Sequence, residues 1–212
     1  MSRFNFMKTC IEGVYIIKPK PKPICDERGY FERYFCTNDF EEIGMKKPII
    51  QINHSKTIGK GSIRGMHYQI PPFCETKIVR CLKGSILDVA IDIRKNSPTF
   101  LQYFSIELNE VNNKYLYIPE GFAHGFQVLS DEAEILYLVT QEFNSSADRG
   151  INPFDKAIIS TNNFYQRNRH NVFENYKKKR GGGIKWPLGS GNISRKDLDR
   201  QYIDNNFIGI EI

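Results

Sequence analysis

Hydrophobic and polar residues alternate with a period of two along much of this chain. The clearest stretch is residues 86–93, where aliphatic side chains alternate with two aspartates and an alanine. Such alternation predicts a β-strand with two unlike faces. Residues 77–83 predict a second strand, and Gly84 and Ser85 between the two predict a hairpin that joins them.

Further short strands are predicted between turn-forming residues, at 29–35, 49–53, 104–108, 115–118, 126–129 and 135–141. Strands of this length and spacing predict a sandwich or a barrel. Helices are expected only at 38–43 and 194–203, where Ser194 stands as an N-cap and Asp197 follows three residues later. Long amphipathic helices and glycine-rich phosphate motifs are missing, which disfavours a doubly wound domain. We therefore predict an all-β barrel with a few short peripheral helices.

Length and composition favour a single domain. The 212 residues are 40% hydrophobic, enough for one substantial core. No apolar run reaches the length of a membrane span, and the N-terminus lacks the apolar core of a signal peptide, so we expect a cytoplasmic protein without a membrane partner. The five cysteines are scattered without a Cys-x-x-Cys pair, which predicts reduced thiols rather than disulfides or a zinc site.

The net charge of +6 is concentrated in one stretch. Residues 156–183 contain seven basic residues and one acidic residue, so the rest of the chain is formally neutral. Such a run, here followed by three glycines, is typical of a solvated loop. We predict a basic insertion at 156–183 and do not expect nucleic acid as a partner.

Several polar residues lie in or beside the predicted strands: Arg64, His67, Gln69, Lys77, Arg80, His124 and Tyr137. A polar group inside a barrel must be hydrogen-bonded or hydrated, and a single histidine on a strand is more often structural than catalytic. A structural protein has little reason to place so many polar groups in one barrel. Their number therefore predicts a functional pocket.

A series of ordered motifs carries a resemblance: DERGYF at 26–31, RGMHYQ at 64–69, KIVR at 77–80, DVAIDIR at 88–94, SPT at 97–99, IPEGFAHGF at 118–126, AEILY at 133–137 and RGI at 149–151. Over roughly residues 10–155, and again over 184–197, the chain resembles the dTDP-4-dehydrorhamnose 3,5-epimerase family. The resemblance implies a cupin-type jelly roll, usually a homodimer. It also implies epimerisation of a nucleotide-linked 4-keto-6-deoxy sugar at C3 and C5 without a metal or an organic cofactor.

The chemistry of that reaction defines the groups a site must supply. A ketone at C4 acidifies the protons on C3 and C5, so a base can remove one of them and leave an enolate. A proton returned from the opposite ring face inverts the centre. The site therefore needs a base, an acid across the ring, and a cation or donor at the enolate oxygen.

The resemblance assigns the proton-transfer roles to three residues. His67 matches the base, and Asp197 matches the carboxylate that orients it. Helix capping alone is the alternative role for Asp197. Tyr137 matches the acid; its ordinary pKa of about 10 would have to be lowered, or it would donate its proton late. A tyrosine of the core is the alternative role.

The remaining candidates bind rather than transfer protons. Lys77 is the candidate for stabilising the enolate, and Arg64 and His124 complete the polar wall; buried cations without partners favour an anionic ligand. Arg28 would reach the diphosphate, from the neighbouring subunit if the homodimer allows it, although an exposed turn arginine is an equal alternative. Gln51 and Asn53 would contact the sugar or the base.

Two departures from the family pattern bear on the nucleotide. The glutamate usually found five residues after Arg28 is replaced by Arg33, with Glu32 one position earlier, and a usual Tyr-Tyr pair is replaced by Glu142 and Phe143. These two departures leave open another substrate, such as a GDP-linked 4-keto-6-deoxy heptose. They also leave open inversion at only C3 or only C5.

Two other protein classes stay open at this point. A metal-dependent cupin oxygenase would use His67, His124 and Glu75, but Gln69 stands where the usual His-x-His motif needs its second histidine. A non-catalytic sugar-binding module would not need both a base and an acid. Metal is therefore not expected, and an enzyme is favoured.

Overall fold

The computed structural model describes residues 2–20, 24–161 and 182–212. Fourteen strands are found in these ranges: β1 Phe4–Lys8, β2 Tyr15–Pro19, β3 Ile24–Asp26, β4 Gly29–Phe31, β5 Gln51–Ile58, β6 Ile63–Gln69, β7 Lys77–Lys83, β8 Ser85–Asp92, β9 Gln102–Asn109, β10 Tyr115–Ile118, β11 Phe122–Val128, β12 Glu132–Val139, β13 Asp148–Gly150 and β14 Ile159–Ser160. Most of the predicted basic insertion lies outside the described residues. The insertion and the single-domain organisation stay predictions.

The strands form two six-stranded sheets and one separate hairpin. The first sheet has the order β1-β2-β10-β7-β12-β5, the second the order β13-β6-β11-β8-β9-β14, and β3 pairs with β4 alone. One core cluster combines Val79 and Ile135 of the first sheet with Ala90 and Phe126 of the second, so the two sheets enclose a common interior. The all-β, cupin-type jelly-roll prediction is confirmed.

The predicted hairpin between residues 77–83 and 86–93 is wrong. Strand β7 pairs with β10 and β12 in the first sheet, whereas β8 pairs with β9 and β11 in the second. Gly84 has a φ of +75° and lies where a Cβ would approach the Glu132 carbonyl oxygen to 2.2 Å. This tight turn carries the chain from one sheet to the other instead of folding it back.

Strand β8 alternates as predicted, but both of its faces are covered. Val89 and Ile91 pack in a second cluster under C-terminal residues that include Ile184. The opposite face, with Asp88 and Ala90, points into the barrel. The more polar face of this strand is therefore the interior one, which places acidic groups beside the pocket.

The first predicted helix is present, and the second is shorter than predicted. Residues 38–43 correspond to α1 Thr37–Phe40 and a 3-10 turn at Glu41–Ile43. The predicted helix at 194–203 is a single turn, α2 Arg195–Leu198, whose N-cap Ser194 accepts a hydrogen bond from the Asp197 backbone N–H at 3.1 Å. Within the described ranges, no helix is long and apolar enough to span a membrane.

Candidate active site

An irregularity in β6 places two of the predicted site residues on the same face. His67 lies opposite His124 of β11, and Arg64 lies opposite Phe126. Three residue steps on β6 thus match two on β11, so one extra residue breaks the alternation. Without it, Arg64 and His67 would face opposite sides of the sheet. Because Phe126 belongs to the common core, both residues face the barrel interior.

His67 and Asp197 form the closest polar contact of this interior. The Nε2 atom of His67 lies 2.6 Å from Asp197 Oδ1, and the other carboxylate oxygen accepts the Gly65 N–H at 3.3 Å. Burial opposes ionisation of Asp197, but the bonds and charge of these partners outweigh it and hold its pKa below the ordinary value. The carboxylate therefore pairs with His67, and the backbone of Asp197 takes part in the helix cap.

The C-terminal segment carries Asp197 to the barrel through several contacts. The Ile63 N–H donates to the Asn192 carbonyl at 2.9 Å, just before α2. After α2, the Asn152 side-chain amide donates to the Leu198 carbonyl at 2.8 Å. These contacts hold Asp197 beside His67, although 130 residues separate the two along the chain.

His124 forms a second pair, with a residue whose role the sequence did not predict. Its Nε2 lies 2.7 Å from Asp88 Oδ1. Asp88 is fully buried, and its second carboxylate oxygen has no hydrogen-bond partner among the described residues. The alternation of residues 86–93 was the available signal, because it separates Asp88 from the apolar face of β8.

Lys77 has a partner, contrary to the premise that it would be a buried cation alone. Its Nζ lies 2.7 Å from Glu75 Oε1, and both side chains are largely buried. Arg64 is more exposed and donates from Nε to Thr57 Oγ1 at 2.8 Å. Lys77 is therefore buried with a partner and Arg64 is exposed, so neither cation by itself requires an anionic ligand, and Glu75 is a further residue of the site.

Tyr137 lies on the inner face of β12, in the sheet opposite His67. It packs against the common core, and burial raises the pKa of its phenol. The negative charge of Glu75 raises this pKa further, and the positive charge of Arg64 lowers it in part, so these three groups share one electrostatic environment. The pKa of this phenol is therefore not lowered, and the phenol keeps its proton at neutral pH.

Gln51 and Asn53 extend the polar lining along β5. Asn53 lies directly opposite Tyr137 in the antiparallel pair, and Gln51 donates to the Asn53 side-chain oxygen at 2.8 Å. Both side chains are half-buried. The structure thus brings eight of the nine predicted site residues to the interior-facing surfaces of β5, β6, β7, β11 and β12 and to α2.

Known proteins resemble this chain over most of its length. A family model described as dTDP-4-dehydrorhamnose 3,5-epimerase matches residues 8–204. The chain belongs to this family. Two relatives named dTDP-4-dehydrorhamnose 3,5-epimerase are those of Shigella flexneri, 40% identical over 96% of this chain and 98% of the relative, and Salmonella typhimurium, 45% identical over 93% and 94%. A dTDP-4-dehydrorhamnose 3-epimerase of Streptomyces niveus is 30% identical over 89% of this chain and 79% of the relative.

A solved structure of the same fold carries a sugar nucleotide. The dTDP-6-deoxy-D-glucose-3,5-epimerase of Legionella pneumophila, in complex with dTDP-4-keto-L-rhamnose, superposes with a TM-score of 0.76 at 32% identity and covers 99% of both chains. The Bacillus anthracis dTDP-4-dehydrorhamnose 3,5-epimerase, with TDP and PPi bound, gives a TM-score of 0.78 at 28% identity over 94% of this chain and 99% of its own.

Arg28 is the one predicted site residue of this family member that lies apart from the others. It sits at the turn of the β3–β4 hairpin, with its side chain 85% exposed, and binds Asp26 at 2.6 Å. Tyr30 and Phe31 of the same hairpin are also exposed. Within the described part of the chain, Arg28 does not reach the barrel interior.

Arg80 was predicted to face the pocket, and that prediction is wrong. It lies three positions after Lys77 on a regular strand, so it faces the outside. There it pairs with Glu32 at 2.9 Å, with both side chains buried, and donates to the Tyr115 hydroxyl at 2.6 Å. Glu32 is therefore bound to the outside of the barrel, whereas Arg33 is exposed.

The oxygenase ligand set is not assembled as a metal-binding group. Among the described residues, no three His, Cys, Asp or Glu side chains form such a cluster. His67 and His124 each direct Nε2 at a carboxylate, and Glu75 binds Lys77. The interior thus contains two imidazole–carboxylate pairs and a lysine–carboxylate pair.

Proposed function

We propose that this protein inverts C3 and C5 of a dTDP-linked 4-keto-6-deoxy sugar, as its 3,5-epimerase relatives are named to do. One observation carries the proposal: an imidazole–carboxylate pair on one sheet and a neutral tyrosine on the other line the same interior. A sugar ring between them would have a base on one face and an acid on the other. This is the arrangement that inversion requires.

The Asp197 carboxylate determines which nitrogen of His67 is the base. An ionised carboxylate only accepts hydrogen bonds, so Nε2, at 2.6 Å, carries a hydrogen and Nδ1 is free to take a proton. Asp197 also stabilises the imidazolium that forms when His67 removes the proton from C3 or C5. The electron pair of the broken C–H bond moves to the C4 oxygen.

Groups on the other strands would stabilise the enolate and return a proton to it. Lys77 would donate to the negative oxygen at C4, and Arg64 would add positive charge to the same wall. His124 would donate from Nδ1 in its imidazolium form, because its Nε2 is already directed at Asp88. Tyr137 would then return a proton to the opposite ring face. The raised pKa of the phenol suits this role, because an acid must still hold its proton when the enolate forms.

Exposed groups outside the barrel support a homodimer as the functional form. Arg28 carries a charge suited to a diphosphate but lies on a projecting hairpin with exposed Tyr30 and Phe31. A second copy that covers this hairpin would bury both aromatic rings and bring Arg28 to a neighbouring barrel. Light scattering that gives the mass of one chain at micromolar concentration would contradict this.

Recognition of the nucleobase is proposed for the loop that follows β12. This loop carries Glu142 and Phe143, and Phe143 is 62% exposed. An exposed aromatic ring offers a face on which a base can stack. The ligand-bound relative with dTDP-4-keto-L-rhamnose favours thymidine over guanosine as the nucleoside.

Inversion at C3 alone is the second candidate function. The 3-epimerase of Streptomyces niveus, 30% identical to this chain, is the observation that favours it. Exchange at C5 distinguishes the two functions.

Deuterium incorporation tests the proposed function. With dTDP-4-keto-6-deoxyglucose in D₂O, we expect NMR to show deuterium at both C3 and C5, and we expect His67→Ala to exchange about 10³-fold more slowly because the base is lost. Exchange at C3 alone would establish the second candidate. No exchange with this substrate, but exchange with a GDP-linked analogue, would contradict the thymidine assignment.

A further inference from the structure

Gln69 is a buried amide whose hydrogen bonds all go to loops at one end of the barrel. It lies two residues beyond His67 on the same face of β6 and is 4% exposed. Its Nε2 donates to the Phe73 carbonyl at 3.0 Å and to the Glu142 carbonyl at 3.1 Å, and its Oε1 accepts the Asn144 N–H at 2.6 Å. The amide therefore uses both its donor and its acceptor atoms on backbone groups.

Two of these three bonds bracket Phe143. Glu142 and Asn144, its neighbours in the chain, are both held by the one side chain of Gln69. The Asn144 side chain further fixes the loop by accepting the Ser146 N–H at 2.9 Å. Phe143 is therefore an exposed ring, and hydrogen bonds to the residues before and after it hold its backbone in place.

We propose that Gln69 is a positioning residue: it fastens the loop of Phe143 to the strand of His67 and so sets the distance between the nucleobase and the reacting sugar. The inference rests on the proposed function, because it takes Phe143 as the contact for the base. One strand then carries both the base of the reaction and the anchor of the nucleotide loop. Loss of Gln69 would weaken binding of the nucleoside and leave binding of the diphosphate unchanged.

Gln127 offers a matched control elsewhere in the barrel. It is fully buried on β11, donates to the carbonyls of Gly61 at 3.3 Å and Gly189 at 2.8 Å, and accepts the Leu188 N–H at 3.2 Å. It therefore makes the same three kinds of bond as Gln69, but to loops that carry none of the proposed site residues. Any general effect of losing a buried amide should appear in both.

The test measures binding of dTDP and of inorganic pyrophosphate by calorimetry, without turnover. For Gln69→Met we expect the Kd of dTDP to rise about tenfold, the size of one lost base–aromatic contact, and the Kd of pyrophosphate to stay within twofold. KM should rise about tenfold and kcat should change less than threefold. Gln127→Met should lower Tm by a similar amount and leave both Kd values unchanged.

A double variant tests whether Gln69 acts through Phe143. Phe143→Ala should weaken dTDP about as much as Gln69→Met, and the two changes together should weaken it no more than twofold beyond Phe143→Ala alone. Gln69→Glu, which can still accept the Asn144 N–H, should give a smaller loss and replaces Gln69→Met if that variant does not fold.

Three results would overturn the inference: a dTDP Kd within twofold of wild type in the Gln69 variants, an equal loss for pyrophosphate, or additive effects in the double variant. The proposed function fails by a different result. Wild type that binds dTDP but exchanges no deuterium refutes the epimerase and leaves the role of Gln69 in nucleotide binding intact.

Discussion

The two histidines that face each other across β6 and β11 have the same kind of partner but different surroundings. His67 and His124 each place Nε2 within 2.7 Å of a carboxylate. The His67 side chain is 38% exposed, and its partner Asp197 comes from the C-terminal segment. The His124 side chain is 12% exposed, and its partner Asp88 lies on the adjacent strand β8.

In the proposed mechanism, this difference separates a group that exchanges protons from a group that holds a fixed position. A base that turns over must reach substrate and recover its neutral form, which suits the more open His67. A donor to an enolate benefits from a fixed orientation, which suits His124 between two paired strands. Similar hydrogen bonds can thus serve different steps, and the surroundings distinguish them.

Among changes to the carboxylate partners of the two histidines, the largest effect is expected from Asp197→Asn. The amide can donate to Nε2 and so favour the tautomer in which Nδ1 is already protonated, which removes the base. We expect deuterium exchange to slow by at least about 10²-fold, by analogy with the loss of an orienting carboxylate in other imidazole bases. Rates of exchange at C3 and C5 by NMR provide the measurement.

Ser194→Ala is the control for Asp197→Asn, because it removes the helix cap and keeps the carboxylate. It should cost about 0.5–2 kcal/mol of unfolding free energy and change the exchange rate less than threefold. An equal rate loss in both variants would mean that Asp197 acts through the helix rather than through His67.

A smaller effect is expected from Asp88→Asn. His124 would lose the carboxylate that orients it and supports its charged form, but the base of the reaction would remain. We expect kcat to fall about tenfold. Asp92→Asn is the matched control on β8, because Asp92 is equally buried but is bound by Arg94 and Ser97. Its loss should therefore lower the stability, measured as Tm, and have little effect on kcat. If Asp88→Asn lowers kcat more than Asp197→Asn does, the roles proposed for the two histidines would have to be exchanged.

The smallest effect is a difference in acid stability. Because the pKa of Asp197 is lowered from its ordinary value of 3.8 in the folded chain, its ionisation favours the folded state above that pH and ceases to do so as the pH falls through the lower folded value. The stability difference between wild type and Asp197→Asn should therefore shrink below about pH 4. Urea unfolding of both proteins from pH 7 to pH 3 measures it, and a constant difference would contradict the lowered pKa.

The sequence pattern predicted the barrel and most of its polar lining. Short alternating strands and turn residues are local signals, so they identify strands such as β8 and β12 without any knowledge of their partners. The pairing of β7 was predicted wrongly, because its partners β10 and β12 are distant in sequence, whereas β8 is its neighbour. The role of Asp88 was missed because alternation separates two faces without saying which one is interior.

Other features depend on contacts that no short stretch of sequence contains. The extra residue in β6 is defined only against β11, and it decides that Arg64 and His67 share a face. Arg80 was misassigned because a polar residue on a strand was taken to face the pocket, whereas Glu32 and Tyr115 satisfy it on the outside. The pairing of His67 with Asp197 was expected only from the family resemblance, since 130 residues separate them.

The arrival of Asp197 on the C-terminal segment also sets an order of events during synthesis. A ribosome completes every strand described above before it adds Asp197, so a nascent barrel displays His67 without its carboxylate. Docking of the segment that carries α2 then supplies the missing charge. A chain that stopped short of α2 could keep most of its strands and still lack the proposed base, so the proposed activity would require that synthesis had passed α2.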